Sequence, residues 1–181
     1  GEHKILSYIR DYDFNNKNII IYGLDADLIM LAMACNKNNV YLLREELEQG
    51  KPTENFIYFD IDNLKCNILE DFKERYFIGS DSNVLLNETL LFNVIHDYIF
   101  ICFFLGNDFL PHILGLDLRY QGLDIILNSY VKTFSFLKEN IVNCDKINTN
   151  FLKHFLYELN TKEEDFVQTI FKKRLSLNKY F

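Results

Sequence analysis

The sequence predicts an α/β fold with mainly parallel strands over residues 1–80, followed by a mainly helical region over 81–181. Short runs rich in β-branched and aromatic residues alternate with helical spacing in the first part. After residue 80 only helical spacing recurs, and hydrophobic residues make up 49% of the chain, enough for a sizeable core.

The elements of the first part follow from spacing and from turn residues. Apolar residues at 5, 6, 9 and 12 predict a helix over 3–12, and a β-rich run at 18–22 is broken by Gly23. Further elements are a helix beginning at Asp27, a strand over 40–43, a strand over 54–61 and a helix over 61–75. The charged stretch LLREELE at 42–48 is interpreted as a loop or a helix start.

Helical spacing in the second part predicts helices over 84–105, 123–138, 148–160 and 163–173, with an Asn-rich loop at 143–150. The longest apolar run, 98–105, is shorter than the roughly 20 residues that a membrane-spanning helix needs, so we expect no membrane association. Four cysteines without metal-binding spacing predict free thiols in a reducing compartment, the cytoplasm or the nucleus.

The formal net charge is −7, with 26 acidic and 19 basic residues. This balance argues against a large nucleic-acid surface, because phosphate binding requires Lys and Arg. Acids that gather to hold divalent cations would also make a chain acidic, while the loaded site attracts phosphate. Composition alone leaves both explanations open.

Asp25 and Asp27 come directly after an apolar strand and a glycine, in IIIYGLDADLIM (19–30). Ligand sites in open α/β sheets lie at this carboxyl edge, and side chains two residues apart in an extended segment can point the same way. Such carboxylates suit Mg²⁺ or Mn²⁺. The alternative is that Asp27 is only a helix N-cap and Asp25 a turn residue.

A second acid occupies a comparable position in IFICFFLGNDFLPHI (99–113). The apolar segment ends at Gly106, Asp108 follows, and Pro111 disfavours a continuing helix. The alternative is an ordinary Asn-Asp turn. Two acids at the ends of buried elements make a shared metal site more plausible.

Other polar residues are weaker candidates. Glu2 is either a further metal-site acid or a first-turn acid that suits the helix dipole. His3 and His112 could orient a carboxylate or a phosphate, or be hydrogen-bonded structure. Arg44 and His112 are the candidate RNA contacts. The basic cluster FKKR (171–174) is interpreted as a solvated helix end rather than a phosphate contact.

Several segments, in order along nearly the whole chain, resemble the XRN family of 5′→3′ exoribonucleases. GEHKILSYIR is similar to a family helix start, and YGLDADLIMLAMA with VYLLREE is similar to its next conserved block. DYIFICFFLGNDFLPHILGLDLRYQGLDIILNSY resembles its longest signature, and the later segments resemble those that close the nuclease core. The ordered pair GLDADLI and GNDFLPH is a specific signal.

The resemblance implies a flap-endonuclease-like or PIN-like fold, a mixed sheet flanked by helices. It implies that Glu2, Asp25, Asp27 and Asp108 are metal-site acids for two Mg²⁺ or Mn²⁺ ions. It further implies hydrolysis of RNA with a 5′-monophosphate end to nucleoside 5′-monophosphates, with the acids positioning the metals rather than acting as nucleophiles. Protein partners are not implied.

The family core begins upstream of the GEHKI-type segment, with further aspartates and the basic residues that hold the 5′ phosphate. We therefore expect the 181 residues to be the C-terminal part of a nuclease core, lacking its N-terminal half and inactive alone. Two other functions remain open, a flap-type DNA nuclease and a non-catalytic RNA-binding or scaffolding homologue.

Overall fold

The computed structural model describes residues 1–14, 17–78, 88–107, 110, 111, 113 and 115–177. For residues 162–166, 169, 170 and 173–177 it describes the backbone alone. The chain divides into two compact units, Gly1–Glu70 and Asp71–Phe181. Each unit has its own core.

The described residues of the first unit form three strands and two helices, together with the start of a third helix. The helices are α1 (Glu2–Asp11), α2 (Ala26–Ala34) and α3 (Ile61–Ile78), and the strands are β1 (Ile19–Tyr22), β2 (Val40–Glu48) and β3 (Lys51–Asp60). α3 continues into the second unit.

The sheet has the order β1-β2-β3 and is mixed. β1 and β2 are parallel, with Ile19 beside Val40, and β2 and β3 form an antiparallel hairpin. The predicted α/β fold, a mixed sheet flanked by helices and followed by a helical region, is confirmed. β2–β3 is the antiparallel pair, since a two-residue turn at Gln49–Gly50 joins the strands.

The interpretation of LLREELE as a loop or a helix start is wrong. This segment lies within β2, where Arg44 pairs with Ile57 and Glu45 pairs with Phe56 of β3. Cross-strand pairing therefore overrides the low strand preference of glutamate.

The second unit consists of helices around an aromatic core. α4 (Glu88–Cys102) runs into one turn of 3₁₀ helix at Phe103–Leu105, and α5 spans Gly122–Leu137. A two-strand hairpin, β4 (Val142–Asn143) and β5 (Lys146–Ile147), precedes α6 (Thr149–Leu177). The two helices predicted over 148–160 and 163–173 are one continuous helix, because TKE at 161–163 contains no helix-breaking residue.

Aromatic rings join α3, α5 and α6 in this core. The Phe72 and Phe134 rings meet edge to face with centroids 5.1 Å apart, and Tyr130 lies 5.6 Å from Phe151. All four rings are buried. Such pairs add stability beyond area burial, which fits the high aromatic content of the chain.

The segment Glu88–Leu105 is long and apolar enough to cross a membrane, with a mean hydropathy of 1.5, and it is one such helix among the described residues. One helix of this kind is weak evidence, since core helices of soluble proteins have the same length and composition. Val94, Ile99 and Ile101 of this helix are buried within the protein.

Candidate metal-site loop

The loop that carries Asp25 and Asp27 lies where β1 ends beside β2. The N–H of Gly23 donates to the carbonyl of Leu43 at 2.8 Å, which extends the parallel pairing by one residue. Gly23 has φ = +142°, and a Cβ there would lie 2.9 Å from Cδ2 of Leu28. Glycine is favoured at this position because L side chains rarely adopt this backbone conformation, while the contact with the end of the Leu28 side chain could be relieved by a shift of that side chain. The chain then turns directly into α2.

Asp25 is the N-cap of α2. Its backbone is extended (φ −119°, ψ 168°), and its Oδ1 accepts a hydrogen bond from the N–H of Leu28 at 2.6 Å. The sequence alternative, in which Asp27 was the cap and Asp25 a turn residue, is wrong, because Asp25 is the cap and Asp27 lies inside the helix. The carboxylate of Asp25 is exposed and retains its second oxygen for another ligand.

Asp27 lies in the first turn of α2 and is half-buried. Its carboxylate makes no hydrogen bond or ion pair with any residue that the structure describes. The positive end of the helix dipole favours a negative charge there. Both oxygens of Asp27 are therefore available to a ligand that reaches this loop.

Arg44 lies beside the same loop. Its half-buried guanidinium donates through Nη1 to the carbonyl of Leu24 at 3.4 Å and through Nε to the carbonyl of Glu45 at 3.3 Å. These contacts tie β2 to the residue before Asp25. Contact of Arg44 with RNA stays a prediction, and the structure assigns it a role in holding the loop.

A hydrogen bond between Tyr22 and Glu45 adds a second link between the ends of β1 and β2. The Tyr22 hydroxyl donates to the Glu45 carboxylate. This bond lowers the pKa of Glu45 and raises the pKa of Tyr22, because it favours the ionised carboxylate and the protonated phenol.

The structure places Asp25 and Asp27 together at the start of α2, at its N-cap and in its first turn, while Glu2 is exposed in the first turn of α1. Within the described parts of the chain, no three acidic, histidine or cysteine side chains form a group that could hold a metal ion. Asp108 and His112 lie outside the described residues. The four-acid site therefore stays a prediction.

Asp97 is an acidic residue that the sequence analysis missed. It is fully buried on α4 and accepts four hydrogen bonds. The donors are the Tyr130 hydroxyl at 2.6 Å, Nδ2 of Asn140 at 2.9 Å, and the N–H groups of Ile141 at 3.1 Å and Val142 at 2.7 Å. The sequence contained a signal for Asp97, because it lies within an apolar helical segment. An acid that is buried in such a segment is rarely without hydrogen-bond partners.

The surroundings of Asp97 indicate a structural role. Burial raises the pKa of its carboxyl, and the four donors oppose that shift. The phenol of Tyr130 has a pKa well above its ordinary value, first because it is buried and second because of the neighbouring carboxylate. Asp97 thus joins α4 to α5 and to the segment that leads into β4, and both of its carboxylate oxygens accept hydrogen bonds.

A polar cavity of about 200 Å³ lies at the opposite edge of the three-strand sheet from Asp25. It is lined by residues that precede β1 and β2, among them Lys17, Lys37 and Asn38. Asp25 and Asp27 are not among its lining residues. The cavity is therefore distinct from the candidate metal-site loop.

The basic cluster 171–174 lies within α6, as predicted for a helical segment. Phe171 is exposed. The side chains of Lys173 and Arg174 lie outside the described part of the chain. A phosphate contact by this cluster is therefore untested.

Two family descriptions match this chain. Residues 1–46 match "XRN 5'-3' exonuclease N-terminus", and residues 91–180 match "Xrn1 helical domain". The first match includes α1, the loop with Asp25 and Asp27, and Arg44 on β2. The second includes α5, α6 and most of α4.

Curated relatives are similar to nearly the whole chain. The 5'-3' exoribonuclease 2 of Debaryomyces hansenii is 34% identical over 96% of this chain and 19% of its own length. The proteins of the same name from Saccharomyces cerevisiae and Arabidopsis thaliana are 34% and 31% identical, over 93% and 96% of this chain and 19% and 20% of their own lengths. The chain thus spans about a fifth of the length of these relatives.

Proposed function

The chain belongs to the XRN family, and on that premise we propose that the full-length protein is a 5′→3′ exoribonuclease. The observation that carries this proposal is the similarity of nearly the whole chain to proteins named 5'-3' exoribonuclease 2. The substrate we propose is RNA with a 5′-monophosphate end, and the products are nucleoside 5′-monophosphates. We place the enzyme in the cytoplasm or nucleus, with which four free thiols are compatible.

We propose that Asp25 and Asp27 hold Mg²⁺ or Mn²⁺, with Glu2 and Asp108 completing the set for two ions. The donor chemistry fits, because Asp25 retains one oxygen and Asp27 two, and hard cations prefer carboxylate oxygens. Bound ions of this kind activate water and stabilise the leaving oxygen in phosphodiester hydrolysis.

Other contacts within the chain position the carboxylate of Asp25. The N-cap bond of Asp25 orients its carboxylate at the start of α2, and Gly23 allows the sharp turn from β1. Arg44 holds the carbonyl of Leu24 and so restrains the residue before Asp25. None of these side chains has to act as a nucleophile.

The decisive experiment replaces Asp25 and Asp27 by asparagine in the full-length protein. Asparagine caps a helix about as well as aspartate, so Asp25→Asn preserves the N-cap and removes only the charge. We expect each variant to retain the wild-type melting temperature and to lose turnover on 5′-monophosphorylated RNA on the order of 100-fold or more. Asp145→Asn, an exposed acid between β4 and β5, is the matched control.

Wild-type turnover in either asparagine variant would rule out the metal role of that residue. A second readout is thermal melting with Mn²⁺, which should raise the melting temperature of the wild type and raise that of Asp27→Asn less. Flap DNA and single-stranded RNA are compared in the same assay. A preference for the flap would replace the proposed substrate, and stable protein with no metal response and no turnover would favour a scaffolding role.

A further inference from the structure

Two tyrosines stack on the exposed side of α1. Tyr8 and the C-cap residue Tyr12 are four residues apart, so they lie on the same side of the helix. Their ring centroids are 5.3 Å apart and the ring planes differ by 19°. Leu6 and Ile9 are the buried residues of α1, whereas Tyr8 is 60% and Tyr12 is 52% exposed. The two tyrosines therefore add little to the core and leave much of their surface accessible.

Phe14 extends this cluster beyond the end of α1. Its half-buried ring lies 5.1 Å from the ring of Tyr12 and 6.1 Å, edge to face, from the ring of Tyr8, measured between centroids. The three rings of Tyr8, Tyr12 and Phe14 are termed the aromatic stripe. Accessible aromatic rings of this kind are surfaces on which unpaired nucleic-acid bases stack, whatever their sequence.

The aromatic stripe adjoins the polar cavity of about 200 Å³, because Phe14 belongs to both. Lys17 and Lys37 line the same cavity. Nζ of Lys37 donates to the carbonyl of Tyr12 at 3.2 Å, so this ammonium lies at the end of the stripe and retains two further donors. Neither lysine forms an ion pair with any residue that the structure describes. The cavity thus places uncompensated positive charge beside the rings.

Three asparagines add further polar groups to the cavity wall, and they are Asn36, Asn38 and Asn39. Asn36 and Asn39 have left-handed backbone conformations, with φ of 53° and 58°, which asparagine adopts more readily than most residues. Asparagine side chains, like lysine, are common contacts of nucleic-acid phosphates. The lining of the cavity therefore suits a phosphate group.

The charges in this region favour RNA over a polypeptide as the ligand. Residues 4–17 contain three basic and two acidic residues, Asp11 and Asp13, and Lys37 adds a fourth positive charge. Lys4, four residues before Tyr8, lies on the same side of α1. A local excess of positive charge in a chain of net charge −7 is typical of a nucleic-acid contact. Stacking on the rings requires unpaired bases, so the strand is single.

We infer that the aromatic stripe and the adjoining polar cavity form an accessory binding site for single-stranded RNA. Bases stack on Tyr8 and Tyr12, and Lys17 and Lys37 bind a backbone phosphate in the cavity. Because the cavity lies at the opposite edge of the sheet from Asp25, this site holds RNA that is outside the candidate metal-site loop. The inference rests on the proposed function only for the choice of RNA, since stacking and phosphate binding require neither metal nor hydrolysis.

The first test is photocrosslinking of the full-length protein to single-stranded RNA that contains 4-thiouridine, in EDTA so that the RNA stays intact. Trypsin cleaves after Lys4, Arg10 and Lys17, so Tyr8 and Tyr12 fall in separate peptides, 5–10 and 11–17. We expect crosslinks in both. The control peptide is 154–162, which contains Tyr157, a tyrosine of α6 that is 67% exposed, and it should remain free of RNA.

The second test separates the bases from the phosphates by affinity. Tyr8→Ala combined with Tyr12→Ala should raise the Kd for an RNA of about thirty nucleotides at least about fivefold and leave that for about six nucleotides unchanged. Phenylalanine at both positions should restore the affinity, since the rings remain. Lys17→Gln and Lys37→Gln should each reduce the slope of log affinity against log salt by about 0.7. Lys146→Gln, exposed on β5, is the control.

Crosslinks elsewhere in the protein but in neither peptide would overturn the inference, and so would an unchanged Kd in the double alanine variant. A protein that crosslinks at both peptides but has no exonuclease turnover would contradict the proposed function and leave the accessory site in place. A protein that crosslinks to RNA at no peptide would contradict both.

Discussion

Asp97 in the helical unit and Asp27 in the α/β unit are both helical aspartates, and their surroundings are opposite. Asp97 is fully buried and accepts four hydrogen bonds. Asp27 is half-buried in the first turn of α2 and has no partner among the described residues. A carboxylate whose oxygens accept hydrogen bonds from several buried donors stabilises a fold, whereas a carboxylate without such donors is available to a cation. The contrast separates structural acids from candidate functional acids in one chain.

The largest expected effect tests whether Asp97 has a structural role. Replacing Asp97 by alanine removes the acceptor of four hydrogen bonds, those from Tyr130, Asn140 and two backbone N–H groups, and only Asn140 keeps a further acceptor, the carbonyl of Leu90. We expect the free energy of unfolding of the 181-residue chain to fall by about 4 kcal/mol, measured by urea denaturation. Asp145→Ala is the exposed control, and a loss below about 1 kcal/mol for Asp97→Ala would contradict the structural assignment.

The pH dependence of stability is a second test of the structural role of Asp97. Burial raises the pKa of Asp97 above its ordinary value of 3.8, so at pH values between 3.8 and the folded-state pKa the native state binds more protons at this carboxyl than the unfolded chain does. The stabilising contribution of Asp97 is therefore complete below that ordinary value and declines as the pH rises through the folded-state pKa.

This effect is measured by urea denaturation of the wild type and Asp97→Asn between acidic and neutral pH. We expect the stability of the wild type relative to the variant to decrease as the pH rises. A difference that is constant with pH, or one that increases, would show that the pKa of Asp97 is not raised in the native state.

A smaller effect is expected at Asp25, where the acid combines a cap with a candidate metal role. Asp25→Ala should lower the free energy of unfolding by about 1 kcal/mol, because the N–H of Leu28 loses its acceptor. Asp25→Asn should change it by much less, since the amide oxygen replaces the carboxylate oxygen. If both substitutions destabilised the chain equally, the charge rather than the cap would explain the stability of this turn.

The smallest expected effect is a change in the pKa of Glu45, which lies next to the candidate metal-site loop. Tyr22→Phe removes the hydrogen bond that lowers the pKa of Glu45, so the pKa of Glu45 should rise toward its ordinary value. Carboxyl titration by NMR measures this shift directly. An unchanged pKa would mean that the hydroxyl of Tyr22 does not hold Glu45 in solution.

Much of the fold followed from local patterns. Alternating strand and helix spacing located α1, β1, α2 and α5 to within a few residues, because periodic apolar residues report the buried side of an element. The extent of β2 did not follow, since Arg44 and Glu45 adopt a strand only through pairing with Ile57 and Phe56. α6 was predicted as two helices, because its polar middle obscured a continuous helical run.

The candidate site was predicted in part. Residue order alone indicated that Asp25 and Asp27 follow a strand, and the structure places Asp25 at the N-cap and Asp27 in the first turn of α2, directly after β1. Their separate roles depended on backbone direction, which places the carboxylate of Asp25 against the N–H of Leu28 and leaves that of Asp27 unpaired by any described residue. Asp97 was missed because its donors lie 33 to 45 residues away in the chain.

The sequence by itself determined the order of elements, the family, and the acids that lie next to turns, since these depend on neighbouring residues and short motifs. Tertiary structure alone decided which acid is saturated by donors, which strands pair antiparallel, and which face of the sheet is left exposed. The physical reason is that hydrogen bonding and burial depend on residues brought together from distant parts of the chain, and periodicity contains no information about those distances.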